Sequence, residues 1–118
     1  MSATIEAVVL FRPVGERELA LIRASNFRAF SPRLPEQPIF YPVVHEEYAA
    51  QIVRDWNTRD GGVGYVTRFF VRADFLARYE RKIVGAAIHE EYWIPAENLS
   101  DFNAALVGNI EVVAEFHG

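Results

Sequence analysis

The chain has no cysteine, a single lysine and a single methionine among its 118 residues. Without cysteine, disulfide scaffolds, thiolate zinc sites, iron–sulfur clusters and cysteine nucleophiles are excluded together, and the chain suits a reducing cytoplasm. No apolar run reaches the roughly 18 residues of a membrane span, and Met1 to Ala7 lacks a basic stretch leading into an apolar one, so neither a span nor a signal peptide is expected. Serine is scarce, with Ser2, Ser25, Ser31 and Ser100. None sits in a Gly-x-Ser-x-Gly turn, so nucleophilic catalysis is poorly supplied. Positive charge is also short. Twelve basic against sixteen acidic residues leave a formal charge of −4, a field that repels phosphate backbones and argues against nucleic acid as a bulk partner.

What is present is an ordinary globular balance, 51% apolar and 24% charged, in a chain able to bury about two-thirds of its unfolded surface. One domain over residues 1–118 is expected, without linker or boundary. Eleven of the twelve basic residues are Arg, Lys82 being the exception. The planar guanidinium suits paired recognition of carboxylate or phosphate, although a GC-rich genome gives the same bias.

Apolar patterning predicts the elements. Thr4 to Phe11 is nearly continuous and predicts a buried strand, closed by Arg12-Pro13. Leu19 and Ile22 recur at helical spacing between Gly15 and Ala24, with Glu16 and Glu18 complementing the dipole of the first turn and Asn26 able to end the helix. Four prolines between Ser31 and Pro42 impose a shaped loop, with a short strand near Ile39 to Tyr41. Tyr48, Ile52, Val53 and Trp56 form the apolar stripe of a helix over His45 to Asn57. Tyr65 to Arg72 alternates as a half-buried strand, and a helical turn follows near Asp74 to Arg78. Tyr79 to Val84 and Ala87 to Ile94 flank Gly85-Ala86 as a hairpin. Pro95 is expected at the first position of a helix reaching about Val107 with Gly108 capping it, and Asn109 to Phe116 closes the chain as a strand. This mixture of hairpins and interspersed helices is α+β.

Candidate chemistry is sparse. His89 and Glu91 would share one face of a strand, a weak start for a metal site against a solvated polar set. Gly61-Gly62-Val63-Gly64 precedes a strand and carries no Lys-Ser or Lys-Thr, so it suits a connection better than a phosphate cradle. Among the carboxylates, Glu91 stands apart because Tyr92 and Trp93 follow it and could flank a pocket. Arg12, at the end of an apolar strand, could hold a diphosphate or pair with a nearby Glu. The tetrapeptide His45-Glu46-Glu47-Tyr48 recurs as His89-Glu90-Glu91-Tyr92 in unmatched flanks, which reads as coincidence.

Taken in order, these residues resemble the ADP-ribosyltransferase-like fold. Leu10-Phe11-Arg12 is similar to its first core strand, which ends in a residue that helps hold NAD. Phe40-Tyr41, followed by the helix with Tyr48-Ala49, is similar to its middle element, in the version with aromatic rather than Ser-Thr-Ser residues. His89-Glu90-Glu91-Tyr92-Trp93-Ile94-Pro95 resembles the Glu-x-Glu stretch that runs into Ile-Pro, and alignment on Ile-Pro puts Glu91 at the catalytic position. Arg33 to Pro42 and Tyr92 to Glu97 are similar to segments of small bacterial proteins often described as "ADP-ribosylation/crystallin J1". The chain is too short and too rich in strand to be one of the long all-helical ADP-ribosylglycohydrolases that share that description.

The resemblance implies an α+β fold with split mixed or antiparallel sheets and about three flanking helices. It implies a site that binds NAD or another ADP-ribose-containing ligand and could transfer ADP-ribose. Glu91 would be catalytic, and Arg12, Tyr41, Tyr48 and His89 would contact the NAD, with Tyr65 a further ring able to stack the nicotinamide. Two departures stand out: His89 replaces the first Glu of the Glu-x-Glu pair, and the Ser-Thr-Ser element is missing. The alternatives are a non-catalytic acidic binding protein of immunity or antitoxin type, partnered by another protein, and a nucleotide sensor on the same scaffold.

Overall fold

A computed structural model describes residues 6–85 and 88–118. Leu10, Arg12 and Val14 share one face of the first strand, β1 (Ala7–Gly15), and Phe11 lies on the other. The strand pairs antiparallel along its whole length with β3 (Val63–Arg72), aligning Leu10 with Phe69 and Arg12 with Thr67. On its far side β3 pairs antiparallel with β7 (Leu106–His117), giving the order β1-β3-β7. As the alternation predicts, Thr67, Phe69 and Val71 are buried on one face of β3. Val66 is buried too, because the opposite face is also covered.

Two apolar clusters result. The larger packs α1 (Glu16–Ala24), through Leu19 and Ile22, and α4 (Leu99–Ala104), through Leu99 and Phe102, onto Leu10, Val14, Phe69 and Val71. Phe30, Phe40, Phe69 and Phe102 meet there in five ring pairs with centroids 4.9 to 6.3 Å apart, all at tilted or edge-to-face angles. The smaller cluster places α2 (Glu46–Ile52) and a π-helical turn, Val53–Asn57, over Phe11, Val43 and Val66.

Short pairings complete the fold: β2 (Ile39–Phe40) with β6 (Ile94–Pro95), and β4 (Arg81–Ile83) with β5 (Glu90–Tyr92), all antiparallel. Val43 stitches them to the main sheet. It exchanges both backbone hydrogen bonds with Phe11, at 2.9 and 2.8 Å, and bridges Glu91 on its other side. The short helix α3 (Ala73–Leu76) follows β3. The fold is therefore α+β, with antiparallel sheets and four α-helices among the described residues.

Several expectations need correction. Arg12-Pro13 does not close the first strand, which runs on to Gly15. Phe11 turns its N–H and C=O toward Val43, so Pro13, two residues on, turns its missing donor toward the same side, away from β3, where no ladder needs it. Pro95 does not open a helix. It is extended (φ −55°, ψ 142°) within β6, and α4 starts only at Leu99, after a 3-10 turn at Ala96–Asn98. Gly108 does not cap that helix, which ends at Ala104 with Ala105 as its C-cap. It lies in β7 with φ +80°, where the register slips against β3 and a bulge needs the left-handed backbone. The hairpin is present as β4 and β5, both shorter than expected. Thr4 and Ile5 of the first strand, and Ala86 and Ala87 at the hairpin turn, lie outside the described residues.

Candidate functional site

Beside the Phe11–Val43 bridge a cavity of about 500 Å³ opens, and Arg12, Tyr41 and Glu91 all line it. They come from β1, from the residue after β2, and from β5. The register shows how they get there. Phe11, Val43 and Glu91 stand opposite one another in the ladder and so share the face that carries α2, whereas Arg12 lies on the opposite face with Leu10 and Val14. Arg12 and Glu91 thus approach the cavity from the two faces of the sheet.

Glu91 is only 8% exposed. The Tyr48 hydroxyl donates to its Oε2 at 3.1 Å and the Trp93 indole N–H to its Oε1 at 2.7 Å. Each oxygen is therefore engaged by one neutral donor, and the carboxylate makes no ion pair among the described residues. Lys82 stands opposite Glu91 in the ladder, but its ammonium bonds Glu80 at 3.0 Å and lies 5.6 Å from the Trp93 ring centroid. Burial and the neighbouring Glu91 charge push the Tyr48 phenol up to about 12.

Tyr48 and His89 do not line the cavity; they set the carboxylate from behind. The Tyr48 ring stacks on His89 at 4.4 Å, and His89 is itself tied to the Val84 carbonyl and to Gln51. The two copies of the tetrapeptide touch here, through positions that are not equivalent. Tyr48 of the first copy meets His89 and Glu91 of the second, and His45 of the first lies 3.3 Å from Glu90. Tyr65 packs against the larger apolar cluster and Tyr92 belongs to it, so of the two rings after Glu91 only Trp93 reaches the cavity.

Arg12 pairs with Glu18 through two hydrogen bonds, at 2.6 and 3.1 Å, and its guanidinium lies 4.5 Å from the Phe40 ring centroid. Of the two uses the sequence left open for Arg12, the structure contains the local ion pair. Arg33 is the cation that sequence reasoning missed. It shares the Phe40 ring at 5.9 Å, its Nε has no hydrogen-bond partner, and it makes no ion pair among the described residues. Burial, then repulsion from Arg12, lowers its pKa from the usual arginine value. Its signal in the sequence was its place between Pro32 and Pro35, where a stiffened loop fixes a side chain at little entropic cost.

Arg33 also lines a second cavity of about 560 Å³, walled by Gly15 and Glu18 at the start of α1 and by Asn57 and Gly62 across from them. Half-exposed rings close the first cavity: Tyr41 and Trp93 stand at 84° with centroids 6.1 Å apart. Val43, Ile52 and Val84 supply its apolar wall. Among the described residues no three His, Asp or Glu side chains are grouped to hold a metal ion, and no helix is long and apolar enough to cross a membrane. No protein-family model, curated protein or solved structure matches the chain.

Proposed function

We propose that the protein is an ADP-ribosyltransferase-like domain that binds NAD or another ADP-ribose-containing ligand and can transfer its ADP-ribose. One observation carries this: Arg12, Tyr41 and Glu91, far apart in the chain, line a single cavity. The residues present fit such a substrate. Arg33, with an unpartnered Nε, lines both cavities, so a diphosphate at Arg33 would leave a nucleoside on either side. Tyr41 and Trp93 would face the nicotinamide.

In the transfer, the bond between the nicotinamide nitrogen and ribose C1′ breaks and its electron pair leaves with nicotinamide. The acceptor's lone pair forms the new bond at C1′ and the acceptor gives up one proton; with water as acceptor the products are ADP-ribose and that proton. Glu91, held by Tyr48 and Trp93, would oppose the positive charge that develops on the ribose. Release of nicotinamide from NAD, measured by chromatography and lost in Glu91→Gln, tests this. No binding of NAD and no nicotinamide would refute it.

One specific observation favours a non-catalytic protein-binding role instead. Ile83, Val84 and Ile88 are exposed together around the β4–β5 hairpin beside the cavity, and Glu18 occupies Arg12. Co-purification with a basic partner, without NAD turnover, would decide for that role.

A further inference from the structure

The same cavity contains two charges of opposite sign, neither of them in a direct ion pair among the described residues. Glu91 is buried and held only by the neutral donors Tyr48 and Trp93, although buried carboxylates are ordinarily paired with a cation because desolvation penalises a lone charge. Its two oxygens offer about four lone-pair directions, of which two are used, so acceptor capacity remains. Arg33 is half-buried, keeps an unsatisfied Nε and has no carboxylate partner among the described residues. The two do not pair with each other although both line the cavity. Apolar side chains, Val43 and Ile52, complete its wall.

The Glu91 end has a further property. Tyr41 and Trp93 form two aromatic walls meeting at a right angle beside the carboxylate. Ring faces attract organic cations electrostatically, and a corner of rings next to a carboxylate is the usual arrangement for ammonium or pyridinium groups. That Trp93 already draws Lys82 to 5.6 Å shows its ring serving as a cation partner.

From this geometry we infer that the cavity is a receptor for a small zwitterion, an organic cation seated between Tyr41, Trp93 and Glu91 and joined through a short apolar link to a carboxylate or phosphate at Arg33. The inference does not depend on NAD cleavage, since it requires binding and no bond breaking.

Phosphocholine is a suitable probe, with choline and inorganic phosphate as its separated halves, followed by calorimetry and by the Trp93 indole N–H resonance. Phosphocholine should bind at least about tenfold more tightly than either half, because joining two weak contacts removes the cost of immobilising the second. Glu91→Gln, which keeps an oxygen acceptor for one neutral donor, should weaken phosphocholine and choline by about tenfold or more and leave phosphate unchanged. Arg33→Met, which keeps an apolar stem over Phe40, should do the reverse. Tyr41→Leu, at an exposed ring, repeats the choline test without touching a buried charge. Phosphocholine binding no tighter than phosphate, or binding indifferent to Glu91→Gln and Tyr41→Leu, would overturn the inference. Protein that binds phosphocholine but releases no nicotinamide keeps this inference and loses the catalytic one; protein with the opposite behaviour loses this one.

Discussion

The Trp93 indole N–H donates to Glu91 Oε1 at 2.7 Å while the Trp93 ring stands at 84° to Tyr41. One side chain thus orients the carboxylate and forms a wall of the space that the carboxylate faces. Tyr48 holds the other oxygen and is itself stacked on His89. The carboxylate is pinned from both sides, which is what an electrostatic role in a reaction demands of it.

Glu91→Gln should therefore lower kcat for nicotinamide release by about a hundredfold or more, a larger factor than any accompanying rise in KM for NAD. Tyr48→Phe, which frees one oxygen without removing the charge, should produce a smaller fall in kcat. Steady-state kinetics on both variants checks this. Equal losses in the two would mean that Tyr48 does more than position the carboxylate.

The Arg12–Glu18 pair gives a second expectation. Arg12 is almost wholly buried and Glu18 about a quarter exposed, so Glu18→Gln strands a guanidinium that can still reach some water. A loss of about 1–2 kcal/mol is expected, below the figure for a fully buried pair, and denaturant unfolding measures it. The same substitution releases Arg12 toward the cavity. Affinity for phosphate-bearing ligands should then rise severalfold, read by calorimetry against wild type.

The fold is more legible in the sequence than the site, for physical reasons. Alternation in β3 and the helical stripes at Leu19, Ile22, Ile52 and Val53 are set by burial, which each segment records by itself, whereas Trp56, read into the same stripe, is 63% exposed beneath Arg59. Pro13 and Pro95 misled because the cost of a missing N–H depends on which side of the strand is paired, and only tertiary structure decides that. Glu91 and Arg12 could be picked out as singular residues, whereas Tyr41 entered only through the resemblance. Arg33 was marked only by its place between Pro32 and Pro35, because what sets it apart is the absence of a direct partner, and partners are chosen by the fold. His89, which the resemblance put in contact with the NAD, stacks on Tyr48 and does not line the cavity.

Tyr48 carries a pH dependence. In the unfolded chain its phenol loses a proton near 10, whereas in the folded protein burial and Glu91 hold that loss back to about 12. The folded state thus keeps a proton that the unfolded state gives up, so this contribution to stability is full below pH 10 and is lost as pH rises toward 12. Tyr65 is also raised, by burial and Glu115, so ultraviolet titration of Tyr48→Phe should lose the tyrosine that titrates near 12 while Tyr65 still titrates late, and the variant's stability should decline less steeply across that interval.

Gly64 tests the packing of the smaller cluster. A Cβ there would come within 2.5 Å of Asn57 Cβ and 2.6 Å of Val53 Cγ1, at both ends of the π-helical turn. Gly64→Ala must displace that turn from β3 and should destabilise the protein by about 1–3 kcal/mol. Gly61→Ala makes a poor control because its backbone is left-handed at φ +78°, whereas Gly15→Ala, with Asn57 Nδ2 at 3.5 Å, should be far milder. Thermal unfolding of the two variants separates them.

The most direct test of the account is a heteronuclear NMR titration of the full chain with NAD. Resonances of Arg33, Tyr41 and Glu91 and the Trp93 indole N–H should shift together and saturate, while those of α3, remote from both cavities, stay still. An unmoved Trp93 indole at millimolar NAD, or shifts that never saturate, would contradict it.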